Sequence, residues 1–319
     1  MRSALVTGAS GFVGRELCRQ LAERGVAVSG AVREASESMD GVRLLELGDF
    51  ATASWDEALK GVDTVFHLAA RVHHMQEGLR LMQVYQRSNV EVTRALARAA
   101  ERRGVRRFVF VSTVKVHRET EGRRLLESDV CRPNGPYAVT KLRAELMLRD
   151  RSERGAMEVT IIRPPLVYGP HVSANFLKLV HTVERYGFWP FGRQQNRRSL
   201  VYVGNLADAL IRSAESPVAA GQTYLVSDDC DVSTAELMRR VGLAYGRKLR
   251  TLPFTGASIH AAARLAGSAQ VADRLFGSLC VSIGKIRREL GWSPRFSLDE
   301  GLAQTVRWYR RREADDRHG

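Results

Sequence analysis

The sequence lacks any apolar run that approaches the ~20 residues needed to span a membrane as a helix. The opening MRSALVTGAS has an apolar part that is too short for a secretory signal, and glycines follow it at once. We therefore expect a cytoplasmic protein that does not insert into membranes.

Patterns that form disulfides or bind metals are also lacking. The four cysteines lie far apart and form no CxxC pair, so we expect reduced thiols that serve as packing residues. Among the histidines, the adjacent pair His73 and His74 cannot chelate a metal as an i,i+4 pair would. No metal site is predicted.

Acidic residues are few relative to basic ones, which gives a formal net charge of +14. Such a charge suits nucleic acid, but the arginines are spread along predicted helices and no nucleic-acid-binding motif accompanies them. We interpret the charge as a solvated basic surface and predict no nucleic-acid partner. The field would still attract a phosphorylated small molecule.

What the sequence does contain is an alternation of strand and helix patterns in its first half. Short β-branched runs such as SALVT, VAVSGAV and RFVFVST alternate with amphipathic helices, including one over residues 78–103. The alternation predicts an α/β protein with a parallel sheet covered by helices on both faces, the doubly wound Rossmann architecture.

Beyond Pro170 the pattern changes, with more loop, helix and aromatic residues. The runs SLVYVGNLADALIRSAES and QTYLVS are typical of a strand, a helix and a strand that return to the first sheet. We therefore predict a cofactor-binding domain of residues 1–168 plus about 199–227. A smaller, discontinuous substrate domain would take residues 169–198 plus about 228–319.

The first strand runs directly into a turn with the glycine spacing GxxGxxG. In a pyrophosphate site, such glycines permit a tight turn, a close approach of the backbone to phosphate, and close helix–strand packing. The next helix points its first N–H groups and its positive dipole end at the anion. The motif alone is weak, but its place between strand and helix favours a dinucleotide site over a plain βα turn. The predicted contacts are Gly8, Ser10, Gly11, Phe12, Val13 and Gly14.

The second strand ends in Ala31-Val32-Arg33, without the carboxylate that would bind the ribose of NAD. Arg33 could pair with a 2′-phosphate, which favours NADP over NAD, or it could be an ordinary surface arginine. Asp49 and Phe50, just after the third strand, are candidate adenine contacts, although Asp49 could equally cap a turn or a helix.

Tyr137 and Lys141 lie four residues apart on a predicted helix, so their side chains share one face. An ammonium close to a phenol stabilises the phenolate and lowers its pKa from about 10. Tyr137 could then exchange a proton with a substrate hydroxyl or carbonyl, while Lys141 binds the nicotinamide ribose. A pair that merely packs or snorkels is the alternative, but the position between the fifth and sixth strands favours catalysis.

Three polar side chains accompany that pair. Ser112 and Thr113 follow the fifth strand, where a hydroxyl could bond the reacting substrate oxygen or simply close a turn. Asn89 is polar on an otherwise packing helix, and it could hold backbone or water near the site or act as a cap.

The motifs TGASGFVG, HLAA, SNVEVT, FVFVST, PYAVTK and RPPLVYGP occur in an order that resembles the extended short-chain dehydrogenases/reductases. That family includes nucleotide-sugar epimerases, dehydratases and 4-keto reductases. The resemblance implies NAD(P) as the cofactor and Thr113, Tyr137 and Lys141 as the catalytic residues. It also implies a homodimer, which is common in the family. The cofactor contacts that it adds are Leu68, Ala69, Ala70, Asn89, Tyr137, Lys141 and Pro164.

In the second half, the resemblance implies a binding site for a UDP-sugar. Arg198 would pair with the diphosphate through its guanidinium, and Asn175 would lie near the pyrophosphate and base. Arg274 is a further candidate for the same anion, although each of these could be a surface or salt-bridge residue. Arg71 and Ser112 complete the predicted substrate contacts.

Val114 and Lys115 stand where the sugar 4,6-dehydratases of the family carry Asp-Glu, and a valine cannot move a proton, so we reject dehydration. Strings such as STVKVH and NRRSLVYV resemble a bacterial branch from O-antigen gene clusters. That branch includes reductases of UDP-2-acetamido-2,6-dideoxy-4-keto-hexose, which form UDP-N-acetylquinovosamine or its C4 epimer. We expect such a C4-keto reductase. A UDP-hexose 4-epimerase with tightly bound NAD and a catalytically silent NAD(P)-binding regulator are the alternatives.

Overall fold

The computed structural model describes residues 1–71, 79–118, 122–155, 157–189, 192, 196–251 and 277–318. Its strands, in chain order, are β1 (Ser3–Thr7), β2 (Ala27–Val32), β3 (Val42–Glu46), β4 (Thr64–His67), β5 (Arg107–Val111), β6 (Glu158–Arg163), β7 (Leu166–Tyr168), β8 (Phe188–Trp189), β9 (Leu200–Tyr202), β10 (Thr223–Leu225) and β11 (Arg250–Thr251). Its α-helices are α1 (Phe12–Glu23), α2 (Trp55–Ala58), α3 (Leu79–Tyr85), α4 (Val92–Arg102), α5 (Gly135–Arg154), α6 (Ala174–Tyr186), α7 (Val203–Glu215), α8 (Thr234–Ala244), α9 (Gly284–Leu290) and α10 (Leu298–His318).

Seven of the strands form one parallel sheet in the order β3-β2-β1-β4-β5-β6-β10. The central strands are short apolar runs that are buried along almost their whole length, as expected when helices cover both faces of a sheet. One core lies under α1, α7 and α9, and the other lies under α2, α4 and α5. The predicted doubly wound α/β architecture is confirmed.

The chain changes direction across the sheet between β1 and β4. From β1 it proceeds outward to β2 and β3, and it then returns to place β4 on the other side of β1. Ligands of open α/β sheets bind at such a point, outside the carboxyl ends of the strands. The turn after β1 and the residues after β4 meet there, so the fold places the glycine turn at this edge.

A smaller group of elements packs beside the sheet. β7 and β9 pair in parallel, and α6, α8 and α10 pack around them in a core of their own. The prediction that the strand in SLVYV returns to the first sheet is wrong, because Leu200–Tyr202 pairs with Leu166–Tyr168. β10 does join the main sheet beside β6, and α7 packs on that sheet. The exact domain boundaries stay a prediction.

The predicted helix over residues 78–103 is not regular where the structure describes it. Gln86–Glu91 forms a π-helical turn between α3 and α4. A π turn widens the helix locally and is frequent at functional sites. Here it carries the buried Asn89, whose amide reaches Thr140 on the neighbouring helix α5.

Candidate active site

The glycine turn leaves β1 and is closed by a hydrogen bond of 3.0 Å from the Gly11 N–H to the Gly8 carbonyl. Gly8 has a φ of +72°, a left-handed conformation that favours glycine. A Cβ on Gly14 would lie 2.1 Å from the Gly8 oxygen, so only glycine lets α1 pack this closely. The structure thus supplies a physical reason for two of the three glycines.

The start of α1 fits an anion. The helix begins at Phe12 and has no acidic residue in its first turn, all of which the structure describes. The first N–H groups of a helix lack intrahelical partners and carry a partial positive charge. A pyrophosphate bound at the start of α1 would meet these donors. The side chains of Ser10, Phe12 and Val13 are partly exposed at the turn.

The predicted adenosine contacts lie after β2 and β3. Arg33 is exposed at the end of β2. Asp49 accepts hydrogen bonds from the backbone amide two residues on, at 3.0 Å, and from Arg87, at 2.5 Å. The hydrogen bond from the Ala51 N–H, together with the hydrogen bond and charge of Arg87 and the charge of Arg33, holds the pKa of Asp49 below its usual value. Phe50 is buried against Trp55, with 5.1 Å between ring centroids, so its ring belongs to the core.

Two other predicted cofactor segments lie at the carboxyl edge of the sheet. Leu68–Ala70 is partly exposed directly after β4. Ala69 approaches the glycine turn, since a Cβ on Gly8 would lie 3.1 Å from the Ala69 nitrogen. Pro164 is buried after β6, and its carbonyl accepts the Val114 N–H at 3.0 Å. The structure therefore brings the segments after β1, β4, β5 and β6 to one edge.

The predicted catalytic residues also meet at this edge. Thr113 follows β5, and Tyr137 and Lys141 lie one turn apart on α5. The Tyr137 phenol hydrogen-bonds the Thr113 side chain. Tyr137 is partly exposed, whereas Lys141 is only 1% exposed. Part of Tyr137 is thus open to a ligand, whereas Lys141 is enclosed by protein.

Burial shifts the pKa of both groups on α5. Burial raises the pKa of Tyr137 to about 12, although the hydrogen bond with Thr113 acts to lower it. Burial lowers the pKa of Lys141 to about 7, although the negative charge of Glu145 acts to raise it. The predicted lowering of the Tyr137 pKa by Lys141 is wrong here, because desolvation raises that pKa and the influence that opposes it is the hydrogen bond with Thr113. Near neutral pH the phenol keeps its proton.

A buried chain of polar groups joins the glycine strand to the catalytic helix. His67 bonds the Thr7 hydroxyl through Nδ1 at 2.7 Å and the Thr93 hydroxyl through Nε2 at 2.9 Å. Thr93 donates to the Asn89 carbonyl at 2.6 Å, and the Asn89 amide donates to Thr140 at 3.2 Å. Burial lowers the pKa of His67 to about 3, so the ring is neutral. Sequence analysis missed this role; its only signal is a histidine that ends an otherwise apolar strand.

Asn89 also fixes the segment that follows β4. Its side-chain oxygen accepts the Arg71 N–H at 2.8 Å, and its amide lies 3.3 Å from the Arg71 carbonyl. Asn89 therefore holds backbone near the site. The Arg71 side chain is exposed.

Ser112 is buried, and its hydroxyl has no hydrogen-bond partner among the described residues.

The predicted substrate residues of the second half are described only in part. Arg198 is partly buried, and its backbone forms isolated bridges with Val232 and Leu279. Asn175 lies in the first turn of α6, but its side chain is outside what the structure describes. Arg274 lies outside the described residues altogether. The roles of all three stay predictions.

In the part of the chain that the structure describes, no helix is long and apolar enough to cross a membrane. The same residues include no group of three or more His, Cys, Asp or Glu side chains that could hold a metal ion. The four cysteines are free thiols, and Cys18 is buried.

Residues 4–227 match the model of the NAD-dependent epimerase/dehydratase family. A UDP-glucose 4-epimerase of Vibrio cholerae is 38% identical over 311 residues, which cover 96% of this chain and 94% of that protein. The chain belongs to the NAD-dependent epimerase/dehydratase family. The family resemblance drawn from the motifs is confirmed.

Other known proteins are similar along nearly the whole length of this chain. A 3-beta-hydroxysteroid dehydrogenase of Mycolicibacterium neoaurum is 30% identical over 335 residues, covering 96% of this chain and 90% of that protein. Among solved structures, MoeE5 in complex with UDP-glucuronic acid and NAD has a TM-score of 0.81 at 27% identity, covering 97% of this chain and 99% of MoeE5. The protein is therefore an enzyme of the NAD-dependent epimerase/dehydratase family.

Proposed function

We propose that this enzyme reduces the C4 ketone of a UDP-linked sugar, a UDP-2-acetamido-2,6-dideoxy-4-keto-hexose, with a reduced nicotinamide nucleotide. The observation that carries the proposal is the contact between the Tyr137 phenol and the Thr113 hydroxyl, at the same sheet edge as the glycine turn. MoeE5, which binds UDP-glucuronic acid together with NAD, supports a UDP-sugar as the substrate class.

Thr113 and Tyr137 would bind the C4 oxygen from one side. A general acid must hold its proton before the reaction, and a pKa of about 12 keeps Tyr137 protonated at neutral pH. Tyr137 then donates this proton to the developing alkoxide, while the Thr113 hydroxyl steadies the negative charge. A reduced nicotinamide nucleotide, when bound, would supply the hydride. The raised pKa of Tyr137 thus supports its role as a proton donor in a reduction.

We propose that the dinucleotide binds at the glycine turn and is exchanged in each turnover. The start of α1, with no acidic residue in its first turn, supports a pyrophosphate at the glycine turn, and the NAD in MoeE5 supports a nicotinamide dinucleotide in general. We propose NADPH in particular, because the exposed Arg33 stands at the end of β2, with Val32 rather than a carboxylate before it. Arg198, which lies just before β9, is proposed to pair with the UDP diphosphate. The enzyme is also proposed to act as a homodimer.

A 4-epimerase is the second candidate, favoured by the Vibrio cholerae relative of that name. An epimerase must first oxidise C4, so Tyr137 would have to accept a proton before donating one. Its cofactor would stay bound through the cycle.

One set of assays separates the candidates. The purified enzyme is supplied with the UDP-4-keto sugar and NADPH or NADH, and separately with UDP-glucose and UDP-N-acetylglucosamine without added cofactor. We expect stoichiometric oxidation of NADPH and a C4 alcohol identified by NMR. Interconversion of UDP-hexoses without added cofactor would establish the epimerase instead. Binding of the cofactor without either reaction would indicate a catalytically silent regulator and would overturn the proposal.

A further inference from the structure

A fully buried ion pair lies behind the proposed catalytic lysine. The Glu145 carboxylate is 0% exposed and receives both Nε and a terminal nitrogen of Arg163, at 3.0 and 2.5 Å. The remaining terminal nitrogen of Arg163 donates to Nε2 of His117 at 2.9 Å. Burying such a pair is a poor way to gain stability, because desolvation offsets most of the attraction. A contribution to stability therefore does not by itself explain why this pair is buried here.

The network touches each segment that carries a proposed catalytic group. Glu145 follows Lys141 by one helical turn, so Tyr137, Lys141 and Glu145 share one face of α5. Arg163 is the last residue of β6. His117 ends the short helical turn that starts after Thr113.

The groups that face Lys141 come from three elements. From β5, the Phe110 ring lies 4.0 Å from Nζ, and from β4, His67 approaches as a neutral ring. From α5 itself, Glu145 adds a negative charge that favours the ammonium. Burial acts in the opposite direction. Among these groups, Glu145 is the one whose charge opposes desolvation of the lysine.

We propose that Glu145 is a positioning residue that favours the ammonium form of Lys141, and that Arg163 and His117 hold the Glu145 carboxylate in place. Neutral His117 suits this task, because its Nε2 must accept a hydrogen bond from Arg163. Burial and the Arg163 charge lower the pKa of His117 to about 4, so the ring is neutral across the physiological range. The kinetic part of the proposal rests on the proposed function, whereas the titration of Lys141 does not.

Lys141 can be titrated directly, because lysines are few. The chain contains Lys60, Lys115, Lys141, Lys178, Lys248 and Lys285. Selective ¹³C labelling of lysine followed by NMR, with Lys141→Met to assign the signal, measures its midpoint without any substrate or cofactor. In Glu145→Gln we expect the Lys141 midpoint to fall by roughly one to two pH units, the scale of a single nearby charge in a protein interior. The alkaline loss of kcat/KM should move by the same amount.

The matched control is Glu158→Gln, which removes the carboxylate partner of another buried arginine, Arg107, at the start of β5. It should leave the Lys141 midpoint unchanged. Because Glu145→Gln leaves the Arg163 guanidinium without its counter-charge, the double variant Glu145→Gln/Arg163→Gln is titrated as well. Two neutral amides replace the ion pair there, and the midpoint should again fall below that of the parent.

A folded double variant with the parental Lys141 midpoint would overturn the proposal, and so would an equal fall in Glu158→Gln. If the midpoint falls as expected while the parent enzyme turns over no UDP-sugar, the positioning role stands and the proposed function fails.

Discussion

The ammonium nitrogen of Lys141 lies 4.0 Å from the centroid of the Phe110 ring, so an aromatic face takes the place of water on one side of a buried lysine. The electron-rich face of the ring attracts a cation. Phe110 thus opposes part of the desolvation that lowers the pKa of Lys141 to about 7.

Replacing that ring should shift the pH at which activity is lost. In Phe110→Leu we expect the alkaline limb of kcat/KM to fall by about half a pH unit or more, since a cation–π contact contributes about 0.5–1 kcal/mol. The pH profile measures this. Phe108→Leu is the control, because Phe108 is equally buried on β5 and, like Phe110, packs against the His67 ring, whereas the Lys141 ammonium lies over the ring of Phe110. Equal shifts in both variants would contradict the assignment to the ring.

The phenol of Tyr137 is the proposed proton donor, so its loss should act on the chemical step. Tyr137→Phe should reduce kcat at least about 100-fold, the scale of a lost general acid, with little change in cofactor affinity. Tyr245→Phe serves as the control, because that hydroxyl is buried and has no hydrogen-bond partner among the residues described. Near-normal turnover of Tyr137→Phe would refute the role.

The close approach of α1 to the glycine turn should make Gly14 irreplaceable. A Cβ there meets the Gly8 oxygen at 2.1 Å, so Gly14→Ala must move the turn. We expect cofactor affinity, measured by calorimetry, to fall at least about 10-fold, since a displaced charge-assisted hydrogen bond is worth about 1.5–3 kcal/mol. In Gly25→Ala, where φ is +75° and a Cβ meets nothing within 4 Å, stability should fall while affinity is kept. Unchanged affinity in Gly14→Ala would place the pyrophosphate elsewhere.

Arg33 should decide between the two nicotinamide cofactors. Arg33→Asp removes the guanidinium proposed for the 2′-phosphate and adds the carboxylate that suits an unphosphorylated ribose. The ratio of kcat/KM for NADPH to that for NADH should fall roughly 10- to 100-fold. Arg43→Asp, an exposed change on the adjacent strand β3, is the control. An unaltered ratio would make Arg33 an ordinary surface residue.

The buried histidines should make the fold sensitive to acid. The pKa of His67 is lowered to about 3 by burial and by Lys141, so the unfolded chain binds a proton below about pH 6.5 that the folded chain does not. Stability therefore falls as the pH falls, by about 2 kcal/mol from this group between roughly pH 6.5 and 5. Urea unfolding at both pH values tests this. His67→Gln cannot titrate, and an equally steep loss of stability in that variant would point to other groups.

Local patterns predicted much of this protein. The alternation of strands and helices was enough for the sheet, because each strand is a short apolar run between helices with their own period. The glycine turn and the Tyr137–Lys141 spacing were equally visible, since each lies within a few residues of chain. The return of β9 to the main sheet was predicted wrongly, because an apolar run does not disclose which neighbour it pairs with.

By itself, the sequence determined the doubly wound fold, and it predicted the glycine turn as a dinucleotide site and Tyr137 as the proton donor. Each of these depends on residues close together in the chain. Only the tertiary structure decided that His67 bridges Thr7 and Thr93, and that Lys141 sits between an aromatic ring and a buried carboxylate. Burial and long-range charge set a pKa, and both arise only when distant segments pack together.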